Sequence, residues 1–208
     1  MAKKVTPPPL EKPERFAAVT VAVLGILQNH GEDHVSHTRV SRDSGISRSW
    51  LYKYVGNSRE SLLNLSIDYF GKLFTDHGPA QTELGREQWM KVIVERFERM
   101  LELTMRFPGV PRIYFRYRGR PGAVGRWLEE TASQIRNREA AELRTIFGLP
   151  KVEAERVSET LSALRMGLMF GVSPVQLPDF AMNRNMRDMP KKEVLELFER
   201  ILRAVITK

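Results

Sequence analysis

The sequence predicts an all-α protein, and three observations lead to that prediction. Apolar residues recur at spacings of three and four over several long segments, which is the period of an amphipathic helix. No stretch shows a convincing strand alternation, and glycine or proline stands between the helical segments, where such residues end helices. With 208 residues, of which 42% are hydrophobic, the chain is long enough to bury a sizeable core.

Four helices are expected in residues 13–78, after an arm of residues 1–12 whose lysines and prolines predict disorder. The first helix covers about 13–29, and Pro13 suits its first turn. Two short helices come next, and a fourth covers about 58–77. The predicted inward face of this fourth helix consists of Leu62, Leu65, Tyr69 and Leu73, with Leu63, Ile67 and Phe70 beside it.

A larger helical domain is expected in residues 79–208, beyond a boundary at about 78–84 where a Gly–Pro pair ends the fourth helix. A short aromatic and basic segment, 112–118, and an irregular stretch, 171–190, interrupt its helices. The predicted helices of this domain cover about 83–107, 123–147, 152–170 and 191–206. The apolar pattern of the first of them consists of Trp89, Val92, Ile93, Phe97, Met100, Leu101 and Met105.

The clearest functional signal lies in residues 36–63. Ser36 suits the N-cap of a first short helix, Gly45 the left-handed turn after it, and Ser47 the N-cap of a second helix, Arg48–Tyr54. Two short helices joined by a glycine turn are the layout of a DNA-reading helix-turn-helix. The candidates for contacts with base edges are Arg48, Ser49, Trp50 and Lys53.

Contacts with DNA phosphates are expected from hydroxyl, imidazole and guanidinium groups around the same two helices. The candidates are Ser36, His37, Thr38, Ser47, Tyr52, Tyr54 and Arg59. Three assignments have alternatives. Trp50 contacts a thymine methyl or packs on the first helix, and Tyr54 contacts phosphate or belongs to the core. Lys3 and Lys4 of the N-terminal arm either follow the DNA or are simply solvated.

In these residues the sequence resembles the TetR family of bacterial transcriptional regulators, over about 14–65. The carrying residues are Gly45, Ile46, Ser47, Leu51, Tyr52, Tyr54, Arg59, Glu60, Leu62 and Leu63. The chain departs from the family pattern where Val55 replaces a phenylalanine and Arg59 a lysine, and the link from Val55 to Leu62 is one residue longer. The resemblance implies a three-helix DNA-binding head, a linking fourth helix, and a larger domain that binds an effector and dimerises.

The effector pocket that the resemblance implies would lie among aromatic and methionine side chains of the larger domain. The candidates are Trp89, Phe97, Met100, Tyr114, Arg116, Trp127 and Met166. Flexible methionines beside aromatic rings suit an adaptable pocket, and they equally suit any core. Arg112 and Arg116, one helical turn apart, either anchor an anionic effector, clamp carboxylates of the head, or lie on a solvated helix face.

The last two helices, 152–170 and 191–206, are predicted to form a dimer interface because their apolar residues exceed what one small core needs. The candidates are Leu161, Leu164, Leu168, Phe198, Ile201, Leu202 and Val205. In the family the matching pair forms a four-helix bundle across a two-fold axis. Two heads on such an axis would read a pseudo-palindromic operator.

Several classes of function are not expected. The chain has no cysteine, no nucleophile–base–carboxylate set and no phosphate loop, so we expect no catalytic residues, no cofactor and no enzyme activity. His30, His34 and His37 span a predicted turn, which favours a polar turn over a metal site and a structural role near phosphate for His37. Acidic residues are scattered on helix faces, where we expect them to be solvated. Without a signal peptide or membrane span, a cytoplasmic location is predicted.

The sequence therefore predicts a DNA-binding transcriptional regulator, and most specifically a ligand-responsive, homodimeric repressor. Its net charge of +8 suits a nucleic-acid partner, although most of the surplus lies outside the motif. One alternative is a dimeric helical ligand-binding or protein-interaction module whose head no longer reads DNA. A second alternative is an architectural DNA-binding protein that has no effector.

Overall fold

Nine α-helices account for most of residues 11–75, 79–107, 109–171 and 189–206, the part of the chain that a computed structural model describes. They are α1 (Lys12–Asn29), α2 (His37–Ser44), α3 (Arg48–Tyr54), α4 (Arg59–Thr75), α5 (Arg86–Arg106), α6 (Val110–Tyr117), α7 (Ala123–Phe147), α8 (Lys151–Gly171) and α9 (Lys191–Ile206). A 3-10 turn, Glu32–His34, precedes α2, and these described residues contain no strand. The all-α prediction is confirmed.

The predicted helix bounds agree closely with the structure. α3, α7 and α9 begin and end at the predicted residues, and the basic segment 112–118 lies almost wholly within α6. Pro111 occupies the first turn of α6, where its missing N–H costs nothing. The predicted end of the fourth helix near His77 and most of the irregular stretch 171–190 lie outside the described residues.

The chain divides into two compact units, Met1–Phe70 and Gly71–Lys208, and α4 contributes residues to both. The domain limits that the sequence predicts, 13–78 and 79–208, stay a prediction. In the first unit, Val23 of α1, Val40 of α2 and Leu51 of α3 are fully buried. The short helices α2 and α3 are stable only because such apolar side chains pack together, since isolated helices of eight or seven residues do not persist in water.

The buried face of α4 agrees in part with the predicted one. Within the first unit it consists of Leu62, Leu63, Ser66, Ile67 and Phe70, of which only Ser66 was not predicted. The predicted inward residues Leu65 and Tyr69 are only half-buried. A helix that packs along pairs of adjacent positions buries i, i+1, i+4 and i+5, so the centre of the buried face lies between the predicted inward face and the residues predicted beside it.

The core of the second unit joins α5, α7, α8 and α9. The rings of Phe97 (α5) and Phe198 (α9) lie 4.3 Å apart, and both side chains are fully buried. Lys191 bonds to Glu102, which fixes the start of α9 against α5. Met105, predicted to face inward, is 56% exposed, and it lies in the last turn of α5, about 100° around the helix from the buried Thr104.

Two buried ion pairs cross this core, which the expectation of solvated acidic residues did not foresee. Glu142 of α7 accepts two hydrogen bonds from the Arg96 guanidinium, at 3.1 and 3.2 Å. Glu139, one turn earlier, pairs with Arg165 of α8. All four side chains are buried, so the expectation of solvation is wrong for these two glutamates. Each carboxylate tolerates burial because a guanidinium satisfies both of its oxygens.

Replacing Glu142 by glutamine is expected to destabilise the protein by about 3–5 kcal/mol, because it leaves the buried Arg96 charge without a partner. The matched control is Glu130→Gln, at an exposed position of the same helix, with an expected change within about 0.5 kcal/mol. Urea denaturation of both variants measures the difference. Equal free energies of unfolding for the two variants would contradict the importance of the buried pair.

Stability should also depend on pH through Glu142. Burial by itself raises the pKa of the Glu142 carboxyl, but hydrogen bonds outweigh burial, and the pKa lies below its ordinary value of 4.5. The donors are Arg96, the Gln81 backbone N–H and Trp89 Nε1. The unfolded chain therefore binds a proton at higher pH than the folded one. The stability that the ionised Glu142 carboxylate contributes is complete above about pH 4.5. It is lost as pH falls through the pKa of Glu142 in the folded protein. Urea midpoints measured across this window should fall more steeply for the parent than for Glu142→Gln, and parallel curves would refute the dependence.

Candidate DNA-binding surface

Gly45 ends α2 and redirects the chain into α3. Its φ of 72° lies in the left-handed region, which residues with a side chain disfavour. The hydroxyl oxygens of Ser36 and Ser47 accept hydrogen bonds from the backbone N–H groups of Arg39 and Trp50, each at 3.3 Å. The helix caps and the glycine turn that the sequence predicts are therefore confirmed.

A single buried residue, Leu51, anchors α3, and the remaining side chains of this helix are exposed or half-buried. Arg48, Ser49 and Lys53 are exposed, and the Tyr52 side chain is 50% exposed. Neither Arg48 nor Lys53 forms an ion pair with a carboxylate of the described residues. Three of the four base-contact candidates thus lie exposed on one short helix with their donors available.

Trp50, the fourth base-contact candidate, packs on the first helix. Its indole meets the Phe16 ring edge-on at 5.2 Å and lies 5.0 Å from the Tyr54 ring, and the side chain is half-buried. Of the two alternatives that the sequence leaves open, the structure favours packing on α1. Trp50 therefore holds α3 against α1, and its ring is not presented freely to a base.

Most of the phosphate-contact candidates are exposed around this surface. Ser36, Thr38 and Ser47 are exposed, and each hydroxyl that accepts a capping bond still has a hydrogen to donate. Tyr54 is 41% exposed, so the core alternative for this residue does not hold. Arg59 pairs with Asp33 at 3.0 Å, and both side chains are largely exposed. Such a surface pair contributes little to stability and leaves Arg59 able to exchange Asp33 for a phosphate.

His37 differs from the other phosphate-contact candidates because its side chain is buried. Its Nε2 atom donates a hydrogen bond to the carbonyl oxygen of Gly56 at 2.7 Å, and its ring stacks on Tyr52 with the centroids 4.6 Å apart. The Nε2 donor of this ring is already used and one of its faces is covered, which favours a structural role for His37 over a phosphate contact through that donor. The backbone N–H of His37, in the first turn of α2, is a further group available for such a contact.

The sequence prediction overlooked two cations at the start of α1. The Lys12 ammonium lies 5.0 Å from the Tyr54 ring centroid, and the Arg15 guanidinium lies 5.8 Å from the Trp50 ring. Both side chains therefore add positive charge beside α3. The spacing of Lys12, Arg15 and Phe16, at i, i+3 and i+4, was the available signal, since it places all three on one side of the helix.

The effector-pocket candidates of the second unit separate into two groups. Trp89 and Phe97 are fully buried core residues, because Trp89 Nε1 donates to Glu142 at 2.8 Å and Phe97 packs on Phe198. Burial in the core removes them from a pocket surface. Of the remaining candidates, Arg116 is exposed, and the half-buried ones are Met100, Tyr114, Trp127 and Met166.

Tyr114 is the best-defined of these half-buried candidates. Its ring lies 5.6 Å from Phe170 and 5.8 Å from Phe115, and the Arg118 guanidinium lies 5.2 Å from its centroid. Burial raises the pKa of the Tyr114 hydroxyl, although the charge of Arg118 acts in the opposite direction. Tyr114 therefore stays neutral at physiological pH and can serve as a hydrogen-bond donor beside apolar rings.

The dimer-interface candidates also separate by burial. The core of the second unit itself contains Leu161, Leu168, Phe198 and Leu202. These four are unavailable to a partner subunit because α8 and α9 already direct them into this core. Leu164, Ile201 and Val205 are half-buried and retain apolar surface. A dimer interface on these helices would use the second group.

The fold matches that of known transcriptional regulators. A TetR-like regulator from Rhodococcus sp. RHA1 superposes with a TM-score of 0.69 at 15% identity, over 96% of this chain and 100% of that chain. TetR regulators from Legionella pneumophila (TM-score 0.62, 15% identity, 95% and 98%) and Haloarcula marismortui ATCC 43049 (TM-score 0.57, 16% identity, 94% and 97%) match similarly. Neither a family model nor a curated protein matches the sequence. The chain therefore has the fold of TetR-like transcriptional regulators.

The described residues contain neither a membrane-spanning helix nor a cluster of metal ligands. None of the described helices combines the length and the apolar character that crossing a membrane requires. The rings of His30 and His34 lie 5.9 Å apart at the 3-10 turn. The described part of the chain nevertheless contains no cluster of three potential metal ligands.

Gly45→Ala is expected to destabilise the first unit by about 1–2 kcal/mol, because alanine disfavours the left-handed conformation. Gly25→Ala is the matched control, since it lies inside α1 and should stabilise the protein by about 0.5–1 kcal/mol. A Cβ would meet nothing within 4 Å at either position, so steric clashes do not obscure the comparison. Thermal unfolding of both variants gives the sign of each change, and the same sign for both would contradict this account.

Proposed function

We propose that this protein is a sequence-specific, DNA-binding transcriptional regulator that acts in the cytoplasm as a homodimer. The observation that carries the proposal is the two-sided character of α3. Leu51 and Trp50 pack one side of this helix against the rest of the head, and Arg48, Ser49 and Lys53 are exposed on the other side. We ascribe no catalytic role to the protein.

The dimensions and charges of α3 support major-groove reading. The helix has seven residues, so it spans about 10 Å, and with its side chains it fits a groove about 12 Å wide. Arg48 and Lys53 are the types of side chain that read guanine from its O6 and N7 atoms. The N-terminal amides of α2 and α3 would attract phosphates on either side of the groove.

The proposal includes a homodimer because one short helix reads too few bases to define an operator. Leu164, Ile201 and Val205 offer apolar surface on α8 and α9 for a two-fold interface. A two-fold axis would place two copies of α3 on a pseudo-palindromic operator. The resemblance to TetR regulators and the shared fold support this arrangement.

The most specific form of the proposal is a repressor that a small molecule releases from its operator. An effector bound among half-buried side chains such as Met100, Trp127 and Met166 would favour one arrangement of the helices. If that arrangement separates the two heads by a distance that no longer matches successive major grooves, operator affinity falls. The effector can shift the equilibrium only by its difference in affinity for the two arrangements.

The rival function is a dimeric ligand-binding or protein-interaction module with a degenerate head. Two observations favour it: Arg59 is paired with Asp33, and both Val55 and the longer link to Leu62 depart from the family pattern before α4. The two functions differ in their dependence on salt and sequence. A true operator is bound far more tightly than bulk DNA, whereas a degenerate head binds all DNA weakly and loses it as salt rises.

The test is selection of genomic fragments by the purified protein, followed by binding measurements across salt concentrations. Recovery of one short inverted repeat, bound as a dimer, supports the proposal. That duplex then serves to screen small molecules for release of the protein. Recovery of unrelated fragments only would overturn the proposal in favour of the rival module.

Lys53→Ala is expected to lower sequence discrimination by about 1–3 kcal/mol, because it removes a base contact. Tyr52→Phe is expected to weaken binding to all sequences alike, because it removes a phosphate contact. Lys192→Ala, an exposed lysine of α9, is the charge-matched control and should leave binding unchanged. Titration of each variant with the operator and with a scrambled duplex measures both effects, and parental affinities for Lys53→Ala and Tyr52→Phe would contradict this assignment of the reading surface.

A further inference from the structure

The turn between α3 and α4 contains one residue in a conformation that only glycine adopts readily. Gly56 has a φ of 125°, and a Cβ there would lie 2.6 Å from the hydroxyl oxygen of Ser61. The amides of Val55 and Gly56 both donate to the carbonyl oxygen of Leu51, at 2.8 and 3.1 Å. The last turn of α3 therefore continues directly into this tight link.

The start of α4 is fixed within the same few residues. The Ser61 amide donates to the Ser58 hydroxyl at 3.0 Å, and the two hydroxyl oxygens lie 2.8 Å apart. Ser58 thus acts as the N-cap that closes the link. The carbonyl of Gly56 is not used by either helix, and it accepts its hydrogen bond from another part of the head.

His37 supplies that hydrogen bond from 19 positions earlier in the chain. Because a carbonyl oxygen only accepts, the Nε2 atom of His37 carries the proton that is donated over 2.7 Å. The same imidazole stacks on Tyr52, with the ring planes inclined by 23°. One buried side chain of α2 therefore contacts both the link after α3 and an aromatic residue on its reading surface.

We propose that His37 is a positioning residue for DNA binding, which fixes the Tyr52 ring through stacking and the lengthened α3–α4 link through its hydrogen bond to Gly56. The inference rests on the proposed DNA-binding function and adds a residue that does not itself touch DNA. Tyr52 is half exposed, and its ring would otherwise sample several rotamers. A ring already held in place loses less conformational entropy when its hydroxyl meets a phosphate.

Two substitutions separate the two contacts of His37. His37→Gln keeps an N–H donor near the position of Nε2 and removes the ring, whereas His37→Phe keeps a stacking ring and removes the donor. Loss of an aromatic pair corresponds to about a 2- to 12-fold change in an equilibrium constant. We expect His37→Gln to weaken operator binding within that range. We expect His37→Phe to increase hydrogen exchange at the amides of Val55 and Gly56.

The decisive experiment is a double-mutant cycle of His37→Gln with Tyr52→Phe, titrated with the operator duplex from the genomic selection. If His37 acts by directing the Tyr52 hydroxyl, both changes remove the same contact, and the double variant binds no more weakly than Tyr52→Phe alone. A purely structural His37 gives additive losses, which would overturn the proposal. Thermal unfolding of all four proteins identifies any loss that comes from unfolding of the head.

An NMR measurement on the free protein supplies a readout that does not depend on DNA. The χ1 couplings of Tyr52 should report one rotamer in the parent and in His37→Phe, and averaged rotamers in His37→Gln. Unchanged couplings in His37→Gln would overturn the proposal even if operator binding were weakened. Failure of the parent to bind any operator would overturn the DNA-binding function and this inference together, whereas operator binding with additive losses would overturn this inference alone.

Discussion

The second unit depends on two carboxylates buried one turn apart on the same face of α7. Glu142 and Glu139 each require a guanidinium, and α5 and α8 each supply one. Because bidentate pairs tolerate little displacement, α5 and α8 can pack on α7 in only a narrow range of registers. Replacing such pairs by apolar residues is often neutral or stabilising, so their contribution lies in fixing the helix register more than in stability.

The head differs from the second unit because its helices α2 and α3 are too short to be stable alone. α2 and α3 have eight and seven residues, and each directs only one or two side chains into the core. Their position depends on side chains that contact distant parts of the head: Trp50 packs on Phe16, and His37 donates to Gly56. Residues that appear in the sequence as DNA contacts therefore also hold the surface together. A substitution at such a position changes the arrangement of its neighbours as well as its own contact.

Features that depend on a few adjacent residues could be predicted from the sequence. Burial against other helices of the fold could not. The caps Ser36 and Ser47 and the turn at Gly45 could be predicted because each depends on a few adjacent residues. The burial of Glu139 and Glu142 could not, because their arginines lie 26 and 46 positions away. For the same reason, periodicity showed that α8 and α9 carry excess apolar residues, but it could not show that Leu161, Leu168, Phe198 and Leu202 face this unit's own core. The candidate DNA contacts remain predictions, apart from His37 and Trp50, whose packing the structure shows.

The net charge of +8 is a poor guide to where this protein would contact DNA. Much of the basic surplus lies in the second unit, where Arg96 and Arg165 neutralise buried carboxylates and Arg203 binds Glu87 and Glu199 at the surface. The head has few cations, but Arg48 and Lys53 stand exposed on α3 and form no ion pair within the described residues. Charges already paired within the protein attract phosphates weakly, whereas unpaired charges on a fixed helix do so at a defined place. DNA affinity in such a head should therefore depend on few contacts held in position, which makes the side chains behind α3 as important as those on its surface.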